Sequence, residues 1–270
     1  MLEVLQYGFM QRALVAAVLI GTVTALIGTY VVLRGLAFIG AGIAHSSFGG
    51  VALGLLLGWN PVGMAVLFAL AVGVAIAGLS EKGKLKEDTA IGIFFASTMA
   101  LGVLLLGFIQ GYTLDLFSYL FGNVLAVTPA DLWISGGMVL LVLAVLFLLY
   151  KEFLALTFDP EYARVQGFWV SGLNLLFILL LVLTVVLSLK VVGIILVSAL
   201  LVIPAATAQQ LAQDFRQMQI LSVVFGLVAS VGGIFLSYCW NTPSGATIVL
   251  LAAALFFGVW GLRTLLGRRA

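Results

Sequence analysis

The sequence predicts an all-α, polytopic membrane fold of about nine transmembrane helices, and three observations carry that prediction. Hydrophobic residues make up 64% of the 270-residue chain and charged residues 8%, against roughly 25% charged in soluble domains. Apolar runs recur at lengths near the roughly 20 residues that a bilayer-spanning helix requires. The breaks between them hold turn residues or charge: Arg34-Gly35, Asn60-Pro61, "SEKGKLKED" and "CWNTPSG". A transmembrane β-barrel would show short segments of alternating polarity, and none is present.

The first run, 13–33, follows Arg12. It is longer than the apolar region of a signal peptide and lacks a clear cleavage site, so it is read as a span. The second, 36–58, is rich in glycine, alanine and serine and holds the only histidine, His45. The third, 61–79, follows the Asn60-Pro61 break, and the charged loop separates it from the fourth, 89–110. The fifth, 130–150, opens on "VTPADLW", with Thr128 as cap, Pro129 in the first turn and Asp131 as a helix-start residue. A hydrophilic stretch, 151–172, precedes the sixth and seventh runs, 173–189 and 191–212. Pro204 interrupts the seventh, where its missing N–H predicts a kink that could serve as a gate in a pathway. The eighth and ninth, 218–238 and 244–262, flank "CWNTPSG". No soluble domain or linker separates these runs, so residues 1–270 are treated as one transmembrane domain.

Lysine and arginine favour the cytoplasmic side. With the terminal "GRRA" inside and nine spans, the inner side collects ten of the twelve basic residues, leaving Arg12 and Lys190 outside. The N-terminus is then external and the C-terminus cytoplasmic. A re-entrant 191–212 segment would invert the upstream half and expel Lys82, Lys84 and Lys86, which disfavours it. Lys190 reads as a residue snorkelling to the interface. A net charge of +2 gives no reason to expect nucleic acid as a partner.

Several chemistries find no support. The chain has no G-x-x-x-x-G-K-[ST] loop for ATP, no H-E-x-x-H and no G-x-S-x-G elbow, so it is not expected to be an enzyme or to hold a cofactor. One histidine supplies too few ligands for a closed zinc cage. Cys239 and the six methionines are read as packing residues. No carboxylate lies near a mid-membrane position, which argues against a self-powered carrier and for energy supplied by a partner.

The partner's expected grip is "LTFDPEYARVQG" at 156–167. Asp159 suits an N-cap, Pro160 the first turn, Glu161 the positive helix end, and Gly167 the stop. A solvated connector capped for its own stability is the other reading.

Three stretches together resemble the ABC-3 family of permeases, the membrane subunits of zinc and manganese importers: "FIGAGIAHSSFGGVALG" at 38–54, "FDPEYARVQG" at 158–167 and "VVGIILVSALLVIPAATAQQLA" at 191–212. "YLFGNVLAV" at 119–127 and "TPSGATIVLL" at 242–251 also fit. The resemblance implies a fold similar to the cobalamin and siderophore importer permeases. It implies a divalent-metal import pathway in the cell (inner) membrane, built from two copies of the permease. Cytoplasmic ABC ATPases would grip the coupling loop at Asp159, Pro160, Glu161, Ala163, Arg164 and Gly167, and an extracytoplasmic metal-binding protein would deliver the ion. A self-contained metal channel or secondary carrier is the alternative. The chain departs from the family pattern at Ala41 and Asn123, where many members carry aspartate.

His45 lies nine residues past Leu36. At about 1.5 Å per residue that is roughly 13–14 Å deep, near the middle of a core about 30 Å thick. Its small neighbours at helical spacing allow two readings. Either helices pack closely there and the imidazole hydrogen-bonds across the contact, or the ring faces a pathway as a transient metal contact. With nitrogen offered and the usual carboxylate missing at Ala41, zinc is preferred to manganese or iron. Asp115, in an outward loop, is either a cation-attracting or docking residue or part of a plain solvated loop.

Overall fold

A computed structural model of the chain describes residues 6–82, 85–109 and 127–267. These form eleven helices and no strand: α1 Gly8–Leu33, α2 Ile39–Leu57, α3 Pro61–Lys82, α4 Glu87–Gly107, α5 Pro129–Leu148, α6 Tyr150–Phe158, α7 Pro160–Val165, α8 Val170–Val192, α9 Ile194–Leu211, α10 Phe215–Trp240 and α11 Ser244–Gly267. All but α6 and α7 are long and apolar enough to cross a membrane, giving nine candidate spans among the described residues. Each begins and ends within a few residues of its expected run. Asp115, Asn123 and most of 119–127 lie outside the described residues.

Two local features depart from expectation. The hydrophilic stretch after α5 is helical, because α6 has an apolar face whose Phe153 and Leu156 are buried. The break between α8 and α9 falls at Gly193, which adopts φ +79°, so Lys190 sits inside the last turn of α8 rather than beyond it. Only glycine takes that backbone without steric cost. The seventh run is a continuous helix through Pro204, which is buried within α9. Pro204 withholds one backbone donor, yet the turn around it is kept, and the Thr207 hydroxyl donates to the Ile203 carbonyl at 2.7 Å.

The chain divides into two compact units, residues 1–32, 117–139 and 190–270 in one, 33–116 and 140–189 in the other. In the first, α1 is pressed against α9 and α10. A Cβ on Gly28 would collide with the Leu201 carbonyl oxygen. Gly21 faces Gly226, and the Ser222 hydroxyl donates to the Ala25 carbonyl at 2.8 Å. Lipid gives helices no hydrophobic reason to associate, so small residues that admit close backbone approach and van der Waals contact must supply it.

In the second unit, α2 is packed on both sides. A Cβ on Gly50 would stand 2.7 Å from the Met64 carbonyl oxygen on α3, and one on Gly42 would overlap the Ile91 side chain on α4. Gly102 of α4 leaves the space that the Phe48 ring fills, with 2.6 Å to its built Cβ.

Gly28→Ala forces the α1 and α9 backbones apart, since the obstructing atom is a carbonyl oxygen and not a flexible side chain. It is expected to destabilise the protein by about 1–3 kcal/mol, read as a lower thermal transition in detergent. Gly78→Ala, with nothing within 4 Å of the new methyl, should leave the transition unchanged.

Candidate functional site

The His45 ring stands on α2 where glycines bring α4 close. Its Nδ1 lies 2.9 Å from the Ala41 carbonyl oxygen, one turn earlier. A carbonyl only accepts, so Nδ1 donates there, and in the neutral form of the ring that leaves the lone pair on Nε2. The ring is half-buried and meets Phe95 of α4 edge-on, with centroids 4.8 Å apart. The buried hydroxyls of Ser46 and Thr98 beside it lie 2.9 Å apart and tie α4 to α2, with Ser46 donating because the Thr98 proton goes to the Phe94 carbonyl. The imidazole hydrogen bond across a helix contact, one of the two readings of His45, does not occur among the described residues. The bond stays within α2, and Ser46 and Thr98 make the cross-helix link instead. No group of three His, Cys, Asp or Glu side chains converges among the described residues.

The 156–167 segment folds as its residues direct. Asp159, extended at φ −152°, accepts from the Glu161 and Tyr162 amides at 3.0 and 2.9 Å, and Pro160 occupies the first turn of α7. At the other end Gly167 adopts φ +84°, its amide donating to Arg164 and that of Phe168 to Ala163, both at 3.1 Å. That pair of bonds is a Schellman stop, which needs a left-handed residue at Gly167's position. Ala163 is fully buried beneath the helix. The two small residues, Ala163 and Gly167, therefore shape the turn, whereas Glu161 and Arg164 are exposed. Tyr162, Val165 and Trp169 are 54%, 86% and 78% exposed and form an apolar surface that the sequence reading missed. Their signal was large apolar residues at 162, 165 and 169 in a stretch otherwise read as hydrophilic.

Two charged clusters also went unrecognised. Arg34, just after α1, is largely but not fully buried, and its Nη2 lies 3.4 Å from both Glu87 carboxylate oxygens and donates to Asn174 Oδ1. Asn174 Nδ2 donates back to Glu87 Oε1 at 2.8 Å, and the guanidinium sits over the Phe177 ring, 4.9 Å from its centroid. Burial pushes the Arg34 pKa below the usual arginine value, and the Glu87 carboxylate opposes that shift. Arg34 Nη1 is buried without a hydrogen-bond partner among the described residues. In the other unit, Lys190 Nζ meets Asp131 Oδ1 at 2.5 Å, while Asp131 Oδ2 takes the Thr128 hydroxyl at 2.6 Å. Asp131 is thus a helix-start residue as expected and an ion-pair partner besides, and Arg12 donates to the Val127 carbonyl at 2.8 Å. Opposite charges at the ends of separate spans were the available signal. Their pairing needs the fold.

Nine apolar spans among the described residues, small-residue helix contacts and a capped polar turn between two of the spans define a polytopic helical membrane protein. The chain belongs to the ABC 3 transport family, whose model matches residues 6–262. It is 42% identical over 253 residues to the manganese transport system membrane protein MntC of Listeria innocua, covering 94% of this chain and 90% of that protein. It is 34% identical to the high-affinity zinc uptake system membrane protein ZnuB of Haemophilus influenzae, covering 90% and 94%. Among solved structures it resembles a chain of PsaBC from Streptococcus pneumoniae in complex with Fab, with TM-score 0.84, 36% identity and coverage of 96% and 94%.

Gly167→Ala places a Cβ in the left-handed region and should cost about 1–2 kcal/mol locally. The expected readout is faster amide exchange across 160–168, with the exchange of α8 unchanged.

Proposed function

We propose that this chain is the membrane permease subunit of an ATP-driven importer for a divalent metal ion, working by alternating access in the plasma membrane. Two copies form the pathway, and separate ATPase subunits supply the energy. An extracytoplasmic metal-binding protein loads the outer mouth. The N-terminus is external and the C-terminus cytoplasmic, which puts ten of twelve basic residues on the inner side. The whole chain acts as one permease domain.

The observation that carries this reading is α7. A six-residue helix capped at both ends, with Glu161, Tyr162, Arg164 and Val165 projecting from it, suits a rigid knuckle for a partner better than a slack connector does. Asp159, Pro160, Ala163 and Gly167 hold that knuckle in shape, and Glu161 and Arg164 supply its polar contacts. ATP-driven closure of the ATPases displaces α7 and reorients the spans around His45.

His45 makes a transient contact with the ion through Nε2. A single nitrogen holds a metal weakly, which suits a conduit, since residence must be short enough for release. Pro204 supports a hinge in α9, as a helix lacking one internal hydrogen bond bends there at lower cost.

Zinc and manganese are the two cargo candidates. The imidazole, with alanine rather than a carboxylate one turn away, favours zinc. The relatives described as manganese transport proteins share more identity with this chain than the zinc-uptake relative does, which favours manganese.

Reconstitution with the ATPase and binding protein, followed by mass spectrometry of a metal panel, tests the proposal. ATP-dependent uptake is expected, and uptake that persists without the ATPase would overturn it in favour of a channel or carrier. His45→Ala should lower uptake by about tenfold, roughly 1.4 kcal/mol of barrier, with the complex still assembled. Glu161→Arg should abolish co-purification of the ATPase.

A further inference from the structure

The half-buried Arg34, Glu87 and Asn174 cluster has a particular position relative to α7. A cleft of about 390 Å³ is lined by Arg34, Glu87 and Asn174 together with Leu156, Pro160 and Arg164. Beneath the cluster, Phe177 lies under the Arg34 guanidinium and meets Phe153 of α6 edge-on, centroids 5.9 Å apart. The helix that leads into α7 therefore touches the same ring that supports Arg34.

Glu87 is the first residue of α4, and the contacts that follow fall on one face of that helix. Ile91 fills the space left by Gly42, Phe95 meets the His45 ring, and Thr98 bonds Ser46. Positions 87, 91, 95 and 98 are spaced four, four and three apart, which keeps them on a single stripe. From Glu87 to Phe95 the helix rises about 12 Å at 1.5 Å per residue. A regular helix cannot be shortened without breaking its hydrogen bonds, so a shift at Glu87 is delivered to the ring packed on His45.

We propose that the Arg34–Glu87–Asn174 cluster is a positioning node that hands movement of the 160–165 helix to α4, whose Glu87–Ile91–Phe95–Thr98 face sets His45. The inference rests on the reading of that helix as the ATPase contact. Arg34 Nη1, buried and unpartnered among the described residues, is the donor that a second arrangement of the node can use. Arg34, Glu87 and Asn174 touch no cargo in this account. Their effect is on how much transport each ATP produces.

The test uses the reconstituted complex of permease, ATPase and binding protein, and reads metal ions imported per ATP hydrolysed. Glu87→Gln keeps the shape and a hydrogen-bonding oxygen but removes the charge that holds Arg34. The expected result is a fall in the ratio of about tenfold in complexes that assemble and still hydrolyse ATP, within the range that substitutions along a coupling network produce. Asn174→Ala, which leaves both charges in place, should lower the ratio about threefold and provides the result if Glu87→Gln does not assemble. Phe95→Leu should lower it as well, and combined with Glu87→Gln should be no worse than the larger single effect, because both interrupt one line. An unchanged ratio in Glu87→Gln and Asn174→Ala, a parallel loss of uptake and hydrolysis, or multiplying effects in the double variant would overturn the node. Failure of the unsubstituted complex to import any metal with ATP would overturn the importer reading itself.

Discussion

The close packing of α2 against α4 is the constraint on which the rest of this structure depends. Glycine at 42 on one helix and at 102 on the other lets side chains of the partner sink to the backbone, Ile91 at the first and Phe48 at the second. In a bilayer there is no gain from hiding apolar surface, so contact distance decides whether two helices stay together. That closeness places Phe95 against the imidazole and Thr98 within reach of Ser46. With the cross-helix hydrogen bond made by hydroxyls, His45 is free to satisfy Nδ1 on its own helix, and Nε2 keeps its lone pair.

Three basic residues near the span ends follow a second rule: each has a polar partner. Lys190 pairs with Asp131, Arg34 with Glu87 and Asn174, and Arg12 with a backbone carbonyl. Uncompensated charge beside hydrocarbon is costly, and pairing lowers that cost. The clusters differ in what surrounds them. Lys190 is 54% exposed, so its pair with Asp131 anchors the end of α8 against the start of α5. Arg34 and Glu87 are 11% and 18% exposed beside the cleft under α7, where their arrangement can respond to the helix above.

Much of this was legible in the residues because the signals are local. Span length, the Pro61 and Pro129 starts and the whole of α7 follow from hydropathy, capping and one glycine, none of which needs distant contacts. Asp159, Pro160 and Gly167 behave as their chemistry dictates. What the sequence could not reveal is non-local. Arg34 read as a topology marker because Glu87 and Asn174 are 53 and 140 residues away. Lys190 read as a snorkelling residue for the same reason. The 150–158 helix was overlooked because its apolar face is only Phe153 and Leu156, too short a pattern to stand out. His45 was found by composition, but its tautomer comes from the Ala41 carbonyl, which no motif encodes.

Because the chain has one histidine, ¹⁵N magnetic resonance of histidine-labelled protein reports His45 alone. In lipid, under mildly alkaline metal-free conditions, the account predicts a proton on Nδ1 and a bare Nε2, with only the Nε2 signal moving strongly when zinc or manganese is supplied. A ring protonated on Nε2, or a spectrum indifferent to either metal, would contradict it.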